Sequence, residues 1–401
     1  MCNNVLVVHG GGPTAVMNAS LYGVVDAAKS RPEIKAVYGA LGGVEGIVKE
    51  RFVDLLKIDT EKLNLLLQTP GSAIGSSRYP VTEEDFIKIP QILKKYGITY
   101  LLPNGGNGTM DTCGRIYQAC MKAGYDKIKV VGIPKTIDND LAITDHTPGY
   151  GSAARYIAAS TKEVAADVRS LPIHVSVIEA LGRNSGWITA ASALARKSKG
   201  DAPHLIYLPE RPFNEEEFLS DVKEIYEEKG GVVVVVSEGL RKEDGTPIVD
   251  PIFRTERAIY YGDVGSHLAN LVIQKLGIKA RSEKPGLCGR ASIAWQSPVD
   301  REEAVLAGRE ALKAAIDGDT GIMIGFQREK TADMDYKIKI IKIPVEEVML
   351  LEKKVPDEFI NDRGNDVTEE FMKWCRPLIG GDLLDFVDFD NNEESEIVCK
   401  L

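Results

Sequence analysis

Residues 5–18 read VLVVHGGGPTAVMN, and this stretch decides the fold. A short β-branched run ends in three consecutive glycines and a proline, and a helical pattern then runs from about residue 17 to residue 29. Adjacent glycines permit positive φ and close backbone approach, so main-chain N–H groups can cradle a phosphate at the start of the helix. The turn is not a P-loop, because the Lys-Ser/Thr pair is missing, and it is not GxGxxG. Taken alone it reads equally well as a phosphate cradle and as a structural tight turn.

The same strand, turn and helix order recurs outward along the chain. Apolar runs at residues 99–102, 129–133, 175–181, 205–208, 232–236 and 322–326 end in Gly or polar turns and alternate with helical patterns. Such alternation predicts an α/β fold with mostly parallel sheets covered on both faces. In these sheets ligands sit at the carboxyl ends of the strands, where the Gly-rich and Asp-rich turns fall. At 401 residues the chain exceeds the roughly 250 to 300 residues at which a single core stops growing, so two Rossmann-like lobes are expected. PGYGS at residues 148–152 is the expected hinge, and residues 284–289 a second boundary. A first lobe over 1–149, completed by about 289–345, and a second over 150–288, completed by about 346–401, follow from these boundaries and from the resemblance described below.

With 44% hydrophobic and 27% charged residues the chain is a folded protein rather than a disordered one. Its net charge of -10 argues against nonspecific nucleic-acid binding, which needs a broad basic surface. The longest apolar run, residues 232–236, has the length of a buried strand and not of a membrane span. The start of the chain lacks the basic and long apolar regions of a signal peptide, so a cytoplasmic location is expected. Cys2, Cys113, Cys120, Cys288, Cys375 and Cys399 are scattered without CxxC or zinc spacing, and are read as thiols. The acidic stretch 385–396 reads as solvated surface.

Four further segments carry chemistry. NGGNGTMDT at 104–112 is a second Gly-rich turn after a strand, with Asn107 offering an uncharged oxygen. GIPKTIDND at 132–140 places Lys135, Thr136, Asp138 and Asp140 in one turn. Two carboxylates two residues apart repel, which tunes one toward base strength, while Lys135 can neutralise a phosphoryl oxygen. An Asx-rich capping turn accounts for one Asp but poorly for the whole set. EALGRNSGW at 179–187 lets the backbone approach a ligand at Gly182, and Arg183 brings a planar fork suited to phosphate. GSAIGSSRYP at 71–80 contributes Arg78, SEG at 237–239 contributes Glu238, and Arg281 and Arg290 lie further on.

GSSRYP, NGGNGT, GIPKTIDND, LGRNSGW and SEG occur in the order and spacing of the phosphofructokinases, and the resemblance spans nearly the whole chain. PKTIDND, LEKKVP at 351–356, GNDVTEEF at 364–371 and RPLIGG at 376–381 resemble the branch that holds pyrophosphate-dependent and some ATP-dependent enzymes. The resemblance implies a 6-phosphofructokinase of glycolysis, a magnesium-using phosphotransferase that forms homodimers or homotetramers, with the first lobe binding the phosphoryl donor and the second the sugar phosphate. It implies that Asp138 accepts the proton of the C1 hydroxyl of fructose 6-phosphate, assisted by Asp140, with Thr136 positioning the sugar. Arg183 would stabilise the transferring phosphoryl group, with Lys135 beside it. Leu181, Gly182 and Glu238 would hold the sugar, and Arg281 and Arg290 its 6-phosphate, one of them from a neighbouring subunit. Gly12, Arg78, Gly108 and Thr109 would meet the donor, and Asn107 stands where the family's metal-site Asp is expected.

Several positions depart from the family. His174 replaces an expected Arg, Leu287 an expected His or aromatic residue, Leu181 a common Met, and Tyr22 an effector-binding Arg. Pyrophosphate users carry Asp where this chain has Gly108, and that Asp would repel the α-phosphate of ATP. Gly108 leaves room and makes ATP the expected donor, while Lys135 and the surrounding sequence favour pyrophosphate as the alternative. A non-catalytic sugar-phosphate-binding protein is a further reading, disfavoured by the intact Asp138, Asp140 and Arg183. NGGNGT alone would also suit the NAD kinases, and the missing GxGxxG argues against a dinucleotide oxidoreductase.

Overall fold

A computed structural model describes residues 3–198, 200–254, 259–329, 336–349 and 351–387. Cys2, Cys399 and most of the acidic stretch 385–396 lie outside these residues, as does the end of the expected second lobe.

The larger sheet has seven strands: β1 (Asn3–His9), β2 (Ile34–Ala40), β3 (Phe52–Asp54), β4 (Ile98–Gly105), β5 (Lys129–Pro134), β12 (Ile322–Arg328) and β13 (Ile338–Pro344). Their order is β13-β12-β5-β4-β1-β2-β3, parallel throughout except for the edge strands β3 and β13. Strand order reverses direction between β1 and β4, so the turns after these strands face a common crevice at the switch point. The smaller sheet orders β11 (Ala280–Glu283), β6 (Val175–Ala180), β8 (Val232–Ser237) and β7 (Leu205–Tyr207), all parallel. The five valines of β8 are fully buried, as a central parallel strand covered on both faces requires. A hairpin of β9 (Pro251–Arg254) and β10 (Ile259–Tyr261) stands apart from both sheets.

Residues 148–152, where the hinge is expected, form the start of a helix. Gly149 takes φ 111° and the helix Tyr150–Ser170 begins immediately after it. Asp300, from the helix Pro298–Asp317, supplies the cap from a distance: its carboxylate accepts from the backbone N–H of Gly149 (2.8 Å) and Ser152 (2.9 Å) and from the Ser152 hydroxyl (2.5 Å). A buried carboxylate thus satisfies the first-turn amides, where the helix N-terminus favours negative charge. Among the described residues no helix is long and apolar enough to cross a membrane. Cys113, Cys120 and Cys375 are buried free thiols and Cys288 is an exposed one.

Candidate active site

The turns after β1 and β4 are locked together by one side chain. Thr109, at the start of the helix Asn107–Lys122, lies so close to both turns that a Cβ on Gly10 or Gly105 would come within 2.2 or 2.1 Å of its hydroxyl oxygen. The glycines are therefore fixed by close approach, and the N-terminus of that helix opens into the crevice. Gly11 takes φ 73°, and its carbonyl accepts from the Ser76 hydroxyl at 2.7 Å, which ties the segment carrying Arg78 to the same turn. His9, buried beneath, donates to or accepts from Ser72 at 2.7 Å; burial and then Lys135 depress its pKa to about 3, so it is neutral.

A cleft of about 670 Å³ opens over these turns. It is lined by Gly12, Arg78, Asn107, Gly108 and Thr109 on one side and by Leu181, Gly182, Arg183 and Glu238 on the other. Lys135, Thr136, Asp138 and Asp140, from the turn after β5 of the larger sheet, continue the first side, and Arg290 also lines the cleft. Lys135 is almost fully buried and its ammonium donates to the Gly12 carbonyl at 2.5 Å. Burial lowers its pKa to about 8, against the pull of Asp138 and Asp140. Burial, then repulsion from Asp140 and Glu238, raises Asp138 to about 7, and Lys135 and Arg290 oppose this. Asp140 is also raised by burial, although its bonds to Thr136 and Asn107 hold the charged form. Two carboxyls of one turn thus end in different environments, which is how an acid-base pair acquires distinct roles.

The second wall is set by backbone geometry. Gly182 takes φ 119°, and a Cβ there would meet the Ser185 carbonyl at 2.5 Å. Its N–H donates to Glu238 at 3.3 Å and its carbonyl accepts from the Ser237 hydroxyl at 2.7 Å, so the ends of β6 and β8 are tied at the cleft. Arg183 is exposed, 6.0 Å from the Tyr261 ring centroid, with Nη1 reaching the Ile259 carbonyl at 3.5 Å. The β9–β10 hairpin, for which the sequence gives little signal, therefore supports this guanidinium.

Two expected positions fall differently. Arg290 projects toward the donor side, where its guanidinium would be 3.4 Å from a Cβ on Gly12 and sits close enough to Arg78 to be perturbed by it. Arg281 lies exposed on β11 and is not among the residues lining this cleft. Nearby, His174 is buried with neither ring nitrogen bonded, and burial followed by Arg281 lowers its pKa. Leu287 is 67% exposed.

Asn107 Nδ2 donates to Asp140 Oδ2 at 2.8 Å, and the remaining oxygens of the pair, Asn107 Oδ1 and Asp140 Oδ1, are both buried and unpartnered. Two orphaned hard oxygens at the mouth of a phosphate cradle fit a magnesium ion that takes its other ligands from water and phosphate. Among the described residues no group of three or more His, Cys, Asp or Glu side chains could hold a metal by itself.

The architecture and these motifs have counterparts. The family model described as phosphofructokinase matches residues 4–315. The chain belongs to the phosphofructokinase family. It is a phosphotransferase by that membership. Among curated relatives, the pyrophosphate–fructose 6-phosphate 1-phosphotransferase of Rhodospirillum rubrum is 37% identical over 98% of each chain. A sulfofructose kinase of Alkalicoccus urumqiensis is 33% identical over 94% of this chain and 95% of its own. The crystal structure of a pyrophosphate-dependent phosphofructokinase from Marinobacter aquaeolei covers 100% of this chain and 98% of its own, with TM-score 0.86 and 34% identity.

These relatives overturn ATP as the expected donor. The room that Gly108 implied is present, since a Cβ there would meet nothing within 4 Å. Room removes a repulsion without supplying an attraction. Arg78, Lys135 and Arg290 concentrate positive charge around the cradle, and charge density serves a compact, highly charged diphosphate.

The sequence reading missed Glu210, Asp300 and Lys353. Glu210 Oε1 accepts from the backbone N–H of Gly186 (2.9 Å) and Val355 (3.0 Å), bracing the Arg183 loop. A signal existed for it: Glu179, Glu210 and Glu238 all lie at the carboxyl ends of smaller-sheet strands.

Proposed function

We propose that this phosphofructokinase transfers a phosphoryl group from pyrophosphate to the C1 hydroxyl of fructose 6-phosphate. One observation carries the reading: a carboxyl raised to about 7, Asp138, lies between a cation cluster over the Gly11 turn and the Gly182–Glu238 wall. Asp138 takes the C1 hydroxyl proton as the sugar oxygen bonds to phosphorus and the P–O–P bridge breaks. Lys135 and Arg78 hold the phosphate that leaves, and Arg183 and Arg290 neutralise the transferring group. Thr136 positions the sugar, Leu181, Gly182 and Glu238 hold its hydroxyl groups, and Gly12, Gly108 and Thr109 meet the donor. Magnesium, held by Asn107 and Asp140, would screen charge on the donor phosphates. Arg281, exposed and not part of the lining of this cleft, is proposed to serve the 6-phosphate in the cleft of a second copy, consistent with a homodimer or homotetramer. The lobes proposed are 1–149 with about 289–345 for the donor, and 150–288 with about 346–401 for the sugar phosphate.

The experiment is a coupled assay with fructose 6-phosphate and magnesium, offering pyrophosphate or ATP. Turnover with pyrophosphate is expected, and its absence overturns the reading. His174 and the exposed Leu287, where the family has cation or ring, favour one second arm: the same assay with the 6-sulfonate analogue of the sugar. Preference for the sulfonate would reassign the acceptor while leaving the donor in place.

A further inference from the structure

The motif LEKKVP has no part in the chemistry described above, yet residues 352–355 touch both walls of the cleft. The Lys353 N–H donates to the Asp140 carbonyl at 2.7 Å, and Leu141 and Glu352 form an antiparallel bridge. The Lys353 ammonium reaches inward and donates to the carbonyls of Thr144 and Asp145, each at 2.8 Å, with Asn139 Oδ1 at 3.4 Å. The segment it clasps is unfavourable in isolation, since Asn139 (φ 52°) and the β-branched Ile143 (φ 69°) both hold left-handed backbone. On the opposite wall, Asn184 Nδ2 donates to the Glu352 carboxylate at 3.2 and 3.3 Å. The Trp187 indole N–H donates to the Lys353 carbonyl at 3.2 Å, its ring 5.2 Å from the ammonium. Val355 and Gly186 share Glu210.

We propose that residues 352–355 form a strap that sets the register between the Asp138 turn and the Arg183 loop, with Lys353 as its positioning residue. Asp138 belongs to one wall of the cleft and Arg183 to the other, and in-line transfer needs them placed together. The strap is the covalent path on which both walls hang within four residues. Lys353 contacts no reacting atom; it acts through the carbonyls of 140, 144 and 145. Its ammonium is lowered to about 7 by burial, against Asp145 and Asp140, so it is costly to enclose and is retained for the bonds it makes.

The inference rests on the phosphotransferase reading, so its test includes a readout independent of turnover. Lys353→Met should lower kcat at least about tenfold while KM for pyrophosphate and fructose 6-phosphate stays within about twofold, because misplacement acts on the transition state more than on binding. Lys353→Arg, which keeps charge and donors, should retain more kcat than Lys353→Met despite its bulk. Hydrogen exchange of residues 139–146 should quicken in Lys353→Met whatever the donor turns out to be. Wild-type kcat in the Met variant, a raised KM at unchanged kcat, or unchanged exchange overturns the strap. If the Met variant does not fold, Asn184→Ala and Glu352→Gln, which loosen only the exposed end, must lower kcat at constant KM, and unaltered kcat in both overturns it. An inactive wild type with pyrophosphate but quickened exchange in the variant refutes the function reading and supports the strap.

Discussion

Replacing Asp138 with Asn should make the protein slower and more stable together. The native carboxyl is raised from an ordinary 3.8 to about 7, chiefly by burial. A raised acid opposes folding wherever it is ionised in the unfolded chain, so the wild type pays nothing below pH 3.8 and loses stability as pH climbs toward 7. At 1.36 kcal/mol for each pH unit the penalty is about 2 kcal/mol at pH 5 and about 4 kcal/mol at pH 8. The isosteric amide carries no such penalty. With about 2.1 cal/mol/K of unfolding entropy per residue over one cooperative unit, 4 kcal/mol corresponds to about 5 °C in Tm. Calorimetry of both proteins at pH 5 and pH 8 measures the difference, which should widen with pH. Steady-state assays should show kcat lower by about 10² to 10⁴, the usual loss on removing a general base, with KM for the sugar little changed. A stability gain that is absent or identical at the two pH values would falsify the burial argument, and near-normal turnover would show that the base is another residue.

Three other outcomes follow from the same geometry. The kcat/KM of the wild type should fall about tenfold per pH unit below pH 7 as Asp138 is protonated, and Asp140→Asn should move that limb to lower pH by removing a neighbouring negative charge. Asp300→Ala strips the cap from the helix Tyr150–Ser170 and leaves buried amides unpaired, so denaturant melts should show a loss of about 2 to 4 kcal/mol. Alkylation of the native protein at pH 8 followed by peptide mapping should label Cys288 well before Cys113, Cys120 and Cys375, whose thiols burial pushes up to about 12.

The alternation of β-branched runs with helical patterns was enough to read the parallel sheets, because both faces of those strands are buried and their sequences are continuously apolar. Strands β2, β3, β11 and β13 and the β9–β10 hairpin escaped, since they are short or mix polar with apolar residues, which hides the continuous apolar run of a buried strand. The cap at PGYGS was illegible for a related reason: its Gly and Pro break the local periodicity, whereas the capping Asp300 lies 151 residues away. Asp138, Asp140, Lys135 and Gly182 were legible because chemistry crowds them into short turns. Lys353 was not, because it works through backbone groups of distant segments, which leave no trace in spacing, and Glu210 offered only its place just after a strand. The donor was misread because a single open position was weighed above the charge gathered around it.

The order of the larger sheet also sets a timetable for the chain's synthesis. Strand β5 ends at Pro134, but its outer neighbour β12 ends only at Arg328, 194 residues later. At about 5 to 20 residues per second a ribosome needs roughly 10 to 40 s to cover that distance. Throughout that interval β5 is an open edge able to pair with the β5 of another nascent chain. A premature stop anywhere before residue 322 would leave that edge permanently exposed, so shortened products of this gene should aggregate rather than persist as a folded lobe.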